Sequence, residues 1–282
     1  MRNVIRAARA GFCFGVERAV DAIASALGDH QGSEIWTIGM PIHDPQEVGR
    51  LRAMGLRVAA DVEEIPPGAS VVIRAHGEPR AVFDALASRG ADVTDMTCPF
   101  VRRAQELARS LSEQGYRVVV LGDREHPEVK GIVGNVGAPV DVVADEEEAG
   151  ELDARGRVAL ISQTTQRVER FRAVADVLAA RAEELRACDT ICRATVERQD
   201  AVRALAGKVD GVVLIGGRAS ANVRKLRDVA EASGLDVLWV EDEEELERGR
   251  GWFEGKQDIG AAAGASTPEW LIETICTKIT TM

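Results

Sequence analysis

The feature that most constrains the fold of this chain is a threefold internal repeat, in which a short strand leads to a cysteine and then to a helix. Cys13, Cys98 and Cys192 are 85 and 94 residues apart. The strand-like runs that precede them are NVIRAA, ADVTDM and ELRACDTI. Apolar residues recur at helical spacing after the first two cysteines, whereas the third copy matches only with a one-residue shift. The third copy is therefore the weakest.

Each copy continues with two further apolar strands whose ends carry polar side chains. The runs IWTIG, VVVLG and VVLIG each end in a glycine, and a hydrogen-bonding residue follows four positions later. These residues are His43, His126 and Ser220. After another helix, the second strand of each copy runs into RAHGEP, SQTTQ or AGASTP. The polar residues at these ends are His76, Thr164 and Ser266.

Strands that alternate with helices predict parallel sheets, because a helical crossover is what joins parallel neighbours. We therefore expect an α/β fold of three similar domains with small parallel sheets around a pseudo-threefold axis. The predicted domains are 14–97, 98–191, and 192–282 together with the N-terminal strand 1–13. Ligands of such sheets bind at the carboxyl ends of strands, where the cysteines and polar residues lie. The repeat thus predicts one central site.

Composition excludes several classes of function. The 35 basic and 46 acidic residues give a net charge of −11, which disfavours binding to nucleic acid. No apolar run approaches the ~18–20 residues of a membrane-spanning helix, and the first residues lack the apolar core of a secretory signal. Five cysteines, an odd number, argue against a disulfide framework. We therefore expect a cytoplasmic protein.

Three converging thiolates suit a soft metal centre, and three ligands leave one coordination position open for substrate or water. Cys13 and Cys98 are expected at helix N-termini, whose dipole favours anionic ligands. Histidine, serine and asparagine side chains at the strand ends can donate to phosphate oxygens. Glu128, two residues after His126, would have its pKa raised away from water and could donate a proton. These residue types favour reduction at a metal site beside a bound phosphate.

Cys188 and Cys276 have no counterpart in the repeat. We interpret both as buried, small apolar residues. Cys188 also leaves open the alternative of a fourth ligand, which would close the metal site. His30 is predicted to be a solvated loop residue or a helix cap.

Eight motifs in order carry a resemblance to a known family. They are GFCFGVERAV, PIHDPQEV, RAHGEP, DMTCPFV, DREHPEVKG, SQTTQ, DTICRATVERQ and AGASTP. From about residue 4 to residue 275, the chain resembles the LytB/IspH family, the 4-hydroxy-3-methylbut-2-enyl diphosphate reductases. This family catalyses the last step of the methylerythritol phosphate route to isoprenoids.

The resemblance implies three α/β domains around a central iron–sulfur site, with a 4Fe–4S cluster held by Cys13, Cys98 and Cys192. It implies that Glu128 relays protons, that Thr164 orients the substrate hydroxyl or a nearby water, and that His126 takes part in catalysis. The implied substrate-binding residues are His43, His76, His126, Thr164, Ser220, Ala221, Asn222 and Ser266. The implied reaction removes the allylic hydroxyl as water and yields isopentenyl and dimethylallyl diphosphate. Ferredoxin or flavodoxin would supply the electrons.

Three positions depart from the family pattern. Ala221 stands where a second serine is usual, although its backbone N–H can still donate to phosphate. Asp44 replaces the commoner asparagine, and Ala263 replaces a threonine. These departures leave open a paralogous iron–sulfur reductase that removes a hydroxyl from another substrate. A non-enzymatic thiol or metal redox sensor is the third hypothesis.

Overall fold

The structure, a computed structural model, describes residues 1–29 and 34–282. His30, which we predicted to be a loop residue or a helix cap, falls outside the described residues. The chain divides into two compact units. The first comprises residues 1–24, 42–55 and 193–282, and the second comprises residues 25–41 and 56–192. The first unit contains one sheet and the second contains two.

All three sheets are parallel and four-stranded, and they share one strand order. The first sheet runs β11 (Val237–Val240), β10 (Gly211–Ile215), β12 (Asp258–Ala263) and β1 (Asn3–Arg6). The second runs β3 (Leu56–Ala59), β2 (Ile35–Ile38), β4 (Ser70–Ile73) and β5 (Asp92–Asp95). The third runs β7 (Val140–Val143), β6 (Arg117–Leu121), β8 (Arg157–Ser162) and β9 (Glu184–Ala187).

Helices connect the strands, as parallel pairing requires. In the described part of the chain they are α1 (Phe14–Asp29), α2 (Pro45–Ala53), α3 (Arg80–Ser88), α4 (Pro99–Glu113), α5 (Pro127–Val133), α6 (Glu146–Glu151), α7 (Val168–Ala179), α8 (Arg193–Arg203), α9 (Ala221–Ala232), α10 (Glu243–Arg248) and α11 (Glu269–Thr281). Short 3-10 turns lie at Val62–Glu64 and Arg250–Phe253. Among the residues described, no helix combines the length and apolar character needed to cross a bilayer.

The central strands are mostly apolar, as is typical of parallel sheets that are covered on both faces. In β6, Val118 and Val120 belong to an apolar cluster on one face of the third sheet. Val119 and Leu121 belong to a separate cluster on the other face. This alternation follows from the two-residue period of a strand. It explains why β6 reads as a continuous apolar run rather than as an alternating one.

The predicted three parallel sheets with helices are confirmed, and the nine predicted strands all form. The edge strands β3, β7 and β11 were not predicted. Each of the three lies at the edge of its sheet and pairs on one side only, and β7 and β11 are mostly half-buried. The domain boundaries 14–97, 98–191 and 192–282 with 1–13 stay a prediction.

Candidate active site

The three repeat cysteines occupy equivalent places in their sheets. Helices α1, α4 and α8 each begin at the residue directly after one of them. Each cysteine N–H donates to a carbonyl just past the neighbouring strand. The acceptors are Ala265 for Cys13, Ala75 for Cys98 and Thr164 for Cys192, at 3.1, 3.0 and 2.9 Å. Cys192, from the weakest copy in sequence, therefore has the same backbone setting as the other two.

All five cysteines are half-buried thiols. Cys188 packs against the apolar cluster around α4 and β6, and Cys276 packs against the cluster beneath α11. Burial raises the pKa of both thiols. Their packing fits the apolar interpretation, although both are less buried than we expected.

Glu128 lies in α5 with its carboxyl buried in the second unit. Its Oε1 accepts the backbone N–H of Thr164 at 2.5 Å, and its Oε2 accepts the hydroxyl of Thr164 at 2.8 Å. Burial raises the pKa of Glu128 to about 7, and the two hydrogen bonds offset only part of that effect. Glu128 is thus suited to carry a proton at neutral pH, as the sequence analysis predicted for a proton donor.

His126 caps the N-terminus of α5, because its Nδ1 accepts the N–H of Glu128 at 3.1 Å. A neutral imidazole that accepts at Nδ1 carries its proton on Nε2, so Nε2 is a donor. The ring of His76 lies edge-on to that of His126, with centroids 5.4 Å apart. The structure therefore brings His76, His126, Glu128 and Thr164 together in the second unit.

Two glycines allow the segment after β4 to lie close to α4 and α5. A Cβ at Gly131 would lie 3.0 Å from Nε2 of Gln105 and 3.5 Å from the carbonyl oxygen of His76. Gly77 has a φ of +69°, and a Cβ there would lie 2.6 Å from the same Nε2. Gln105 was not predicted, because nothing near it in sequence links it to His76.

Two buried glutamines of the SQTTQ motif were also not predicted. Gln163 accepts the N–H of Asp123 at 3.2 Å through Oε1. Within residues 1–29 and 34–282, Oε1 of Gln166 is buried without a hydrogen-bond partner. Both flank Thr164, and membership of that motif was the signal that could have identified them.

In the first unit, Ser220, Asn222 and Ser266 are all buried. Ser220 caps α9, since its hydroxyl accepts the N–H of Val223 at 3.4 Å. Asn222 accepts the N–H of Ala265 at 3.1 Å, which ties α9 to the loop after β12. The hydroxyl of Ser266 has no hydrogen-bond partner in the part of the chain that the structure describes. This hydroxyl is therefore available to donate to a bound ligand.

Ala221, the first residue of α9, is also buried, and the N–H groups of this first turn can receive an anion. Ser220, Asn222, Thr164 and Ser266 are residue types that often cap helices, but of these four only Ser220 is an N-cap. Thr164 and Ser266 lie in loops, and Asn222 lies inside α9. The cap interpretation therefore does not account for the set.

His43 and Asp44 precede α2. Gly217 lies so close to His43 that a Cβ there would be 2.2 Å from the His43 carbonyl oxygen. Oδ1 of Asp44 accepts the N–H of Glu47 at 3.0 Å, whereas its Oδ2 is buried without a partner among the described residues. Burial raises the pKa of Asp44 to about 6, and the negative charges of Glu47 and Glu241 add to the effect.

The family model described as LytB protein matches residues 4–280. A 4-hydroxy-3-methylbut-2-enyl diphosphate reductase of Geobacter sulfurreducens is 43% identical over 277 residues, which are 98% of this chain and 96% of the relative. The enzyme of the same name from Aquifex aeolicus is 40% identical over 282 residues, covering 99% and 96%.

Two solved structures also resemble this chain. One is (E)-4-hydroxy-3-methyl-but-2-enyl diphosphate reductase, described as the terminal enzyme of the non-mevalonate pathway. It is 38% identical, covers 100% of both chains and has a TM-score of 0.72. The E-1-hydroxy-2-methyl-but-2-enyl-4-diphosphate reductase from Plasmodium falciparum is 20% identical, with a TM-score of 0.91 over 99% of this chain and 88% of its own. This second likeness concerns the fold alone.

Proposed function

Because the chain belongs to the LytB protein family, we propose that it is a 4-hydroxy-3-methylbut-2-enyl diphosphate reductase. The substrate loses its allylic hydroxyl as water and takes up two electrons and two protons. One proton leaves with the hydroxyl, and the other is added to carbon, at either end of the allylic system. The products are then isopentenyl and dimethylallyl diphosphate.

The cluster ligands in this proposal are Cys13, Cys98 and Cys192. The fit rests on their chemistry and setting: all three are thiols at helix N-termini, and each has the same backbone hydrogen bond. Three thiolates with no fourth cysteine at an equivalent place suit a 4Fe–4S cluster with one open iron. When bound, the cluster would supply two electrons, one at a time, and an open coordination position.

The buried Glu128 carboxyl, held by two hydrogen bonds from Thr164, is the observation that carries the proposed chemistry. With a pKa of about 7, Glu128 can deliver the proton that leaves with the hydroxyl. Thr164 donates to both carboxyl oxygens and so holds the carboxyl group in place. His126, which caps the same helix, is held in place by the Glu128 N–H.

The diphosphate would bind to His43, His76, His126, Ser220, Asn222 and Ser266, with the Ala221 N–H as a further donor. The unpaired hydroxyl of Ser266 supports this assignment, because a buried donor without a partner is costly unless a ligand completes it. The positive end of the α9 dipole adds favourable electrostatics for phosphate.

Ferredoxin or flavodoxin is proposed as the electron donor, because the reaction needs single electrons at low potential. We place the reaction in the cytoplasm, where thiols stay reduced. The identities of 40% and 43% over nearly the whole chain support this reductase rather than a paralogue or a redox sensor.

The experiment that tests the function is anaerobic purification followed by iron and sulfide analysis and turnover assays. We expect a cluster, and reduction of the diphosphate but not of the unphosphorylated alcohol. Equal turnover of the alcohol would contradict the assignment of these residues to diphosphate binding. Absence of iron from the purified protein would contradict the assignment of the three cysteines as cluster ligands.

A further inference from the structure

Arg198 is a buried arginine whose guanidinium holds the segment that leads into Cys13. Only 5% of Arg198 is exposed. Its Nη2 donates to the carbonyl oxygens of Gly11 at 2.7 Å and of Phe12 at 3.1 Å, while Nη1 donates to Ala194 at 2.9 Å. All four residues belong to the first unit. One side chain of α8 thus binds the two residues directly before a proposed cluster ligand.

Burial of a guanidinium carries a desolvation cost, which carbonyl acceptors offset only where geometry is favourable. Most arginines of this chain avoid that cost by forming exposed ion pairs, such as Arg193 with Glu197 on the same helix. Arg198 therefore keeps its charge buried in spite of this desolvation cost. That cost points to a role in the neighbouring segment.

The segment before Cys13 is also restricted by contacts other than those of Arg198. Gly11 has a φ of +82°, and a Cβ there would lie 3.3 Å from Ile272. On the other side, the Cys13 N–H donates to the Ala265 carbonyl at 3.1 Å. Arg198 fixes the two peptide groups that lie between these points. Its loss would leave the Gly11 and Phe12 carbonyls without their charged donor.

The matching arginines of the other repeat copies are placed differently. Arg18, five residues after Cys13, lies over the ring of Phe14 at 5.8 Å. Arg103, five residues after Cys98, is exposed. The burial of Arg198 is therefore not a general consequence of the repeat.

We propose that Arg198 is a positioning residue that fixes the Cys13 segment for cluster binding and places a buried positive charge beside it. This inference rests on the proposed function, since it takes Cys13 as a cluster ligand. Residues that support metal ligands from behind typically contribute about ten- to hundredfold to metal affinity. A nearby positive charge also favours the reduced cluster, because net charge is among the determinants of cluster potential.

The test compares wild-type protein with Arg198→Gln, Arg198→Lys and the control Arg203→Gln. Arg203 lies on the same helix and pairs with Asp200 at the surface. Each anaerobically loaded protein is exposed to a chelator below its unfolding temperature, and cluster loss is followed by absorbance. The reduction potential and the electron paramagnetic spectrum of the reduced cluster are measured in parallel.

We expect cluster loss about tenfold faster in Arg198→Gln, together with a more negative potential. Arg198→Lys keeps the charge but not the forked donors, so its cluster is lost faster while its potential stays near that of wild type. This variant also carries the test if Arg198→Gln does not fold. Arg203→Gln is expected to match wild type in both measurements.

Wild-type rates and potentials in both Arg198 variants would overturn the inference while leaving the proposed function intact. Absence of a cluster from the wild-type protein would instead overturn the proposed function itself. Equal acceleration in Arg203→Gln would show that the effect reflects α8 in general rather than Arg198.

Discussion

Thr164 donates two hydrogen bonds to the buried carboxyl of Glu128, one from its backbone N–H and one from its hydroxyl. The two residues are 36 positions apart in sequence, on α5 and in the loop after β8. Both donors are uncharged groups, and the net effect of burial is still to raise the pKa of the carboxyl. The arrangement fixes the position of the acid without fixing its charge.

Replacement of Glu128 by Gln should remove the proton donor while keeping the shape of the side chain. Because general acid catalysis typically contributes about 10²- to 10⁴-fold, we expect turnover to fall by that amount. Iron content and the electron paramagnetic spectrum should remain those of wild type, since Glu128 is not a proposed ligand. Loss of the cluster on this substitution would contradict the role, and unchanged turnover would show that Glu128 is not the proton donor.

The pH profile of the wild-type enzyme should reflect the same carboxyl. The folded-state pKa of Glu128 is about 7, well above its ordinary value of 4.5, so the protonated form dominates below pH 7. Turnover per enzyme should therefore fall as pH rises through about 7, with loss of one proton. In Glu128→Gln the residual activity should lack this step, and a step that persists there would assign it to another group.

Much of the fold follows from local patterns, whereas the details of the site depend on contacts that no local pattern encodes. The strand β6 and the helix α4 are evident because burial imposes apolar residues at fixed periods. The hydrogen bond from Arg198 to Gly11 joins residues 187 positions apart. No spacing within either segment indicates such a partner, so Arg198 could be predicted only as a helical residue.

The third cysteine shows a similar limit. Helix α8 begins directly after Cys192 just as α1 begins directly after Cys13, but the residues after Cys192 do not align without a shift. Backbone geometry is conserved between these copies where side chains are not. Comparison of the three copies by sequence therefore underestimated how closely the third copy matches the other two in structure.

Replacement of Gly217 by Ala should weaken substrate binding. The added Cβ would lie 2.2 Å from the His43 carbonyl oxygen, so either His43 or the loop before Ser220 must move. Both carry proposed diphosphate ligands, and a displacement of about 1 Å can change catalytic efficiency by up to about a hundredfold. We expect KM for the diphosphate to rise by about tenfold or more.

Gly49→Ala is the matched control for this substitution. Gly49 lies within α2, where a Cβ meets no atom within 4 Å. Its KM should equal that of wild type, and its stability should rise slightly because alanine favours helix. If Gly217→Ala also kept the wild-type KM, His43 and Ser220 would not both bind the diphosphate.

Replacement of Asp44 by Asn should stabilise the protein at high pH and not at low pH. The pKa of Asp44 rises from 3.8 to about 6 on folding, so the folded state binds the proton more tightly than the unfolded state. Wild-type stability therefore falls as pH rises between these values, by as much as about 3 kcal/mol, and stays lower above them. Asparagine caps a helix equally well and does not titrate.

The measurement is the thermal midpoint of both proteins at pH 4 and pH 8. We expect the midpoint of Asp44→Asn to exceed that of wild type by about 5 °C or more at pH 8, with a much smaller difference at pH 4. Asp145→Asn provides the control, because Asp145 caps α6 through two N–H groups and is half-buried rather than fully buried. An Asp44→Asn difference that is the same at both pH values would show that the unpaired Oδ2 does not bind a proton on folding.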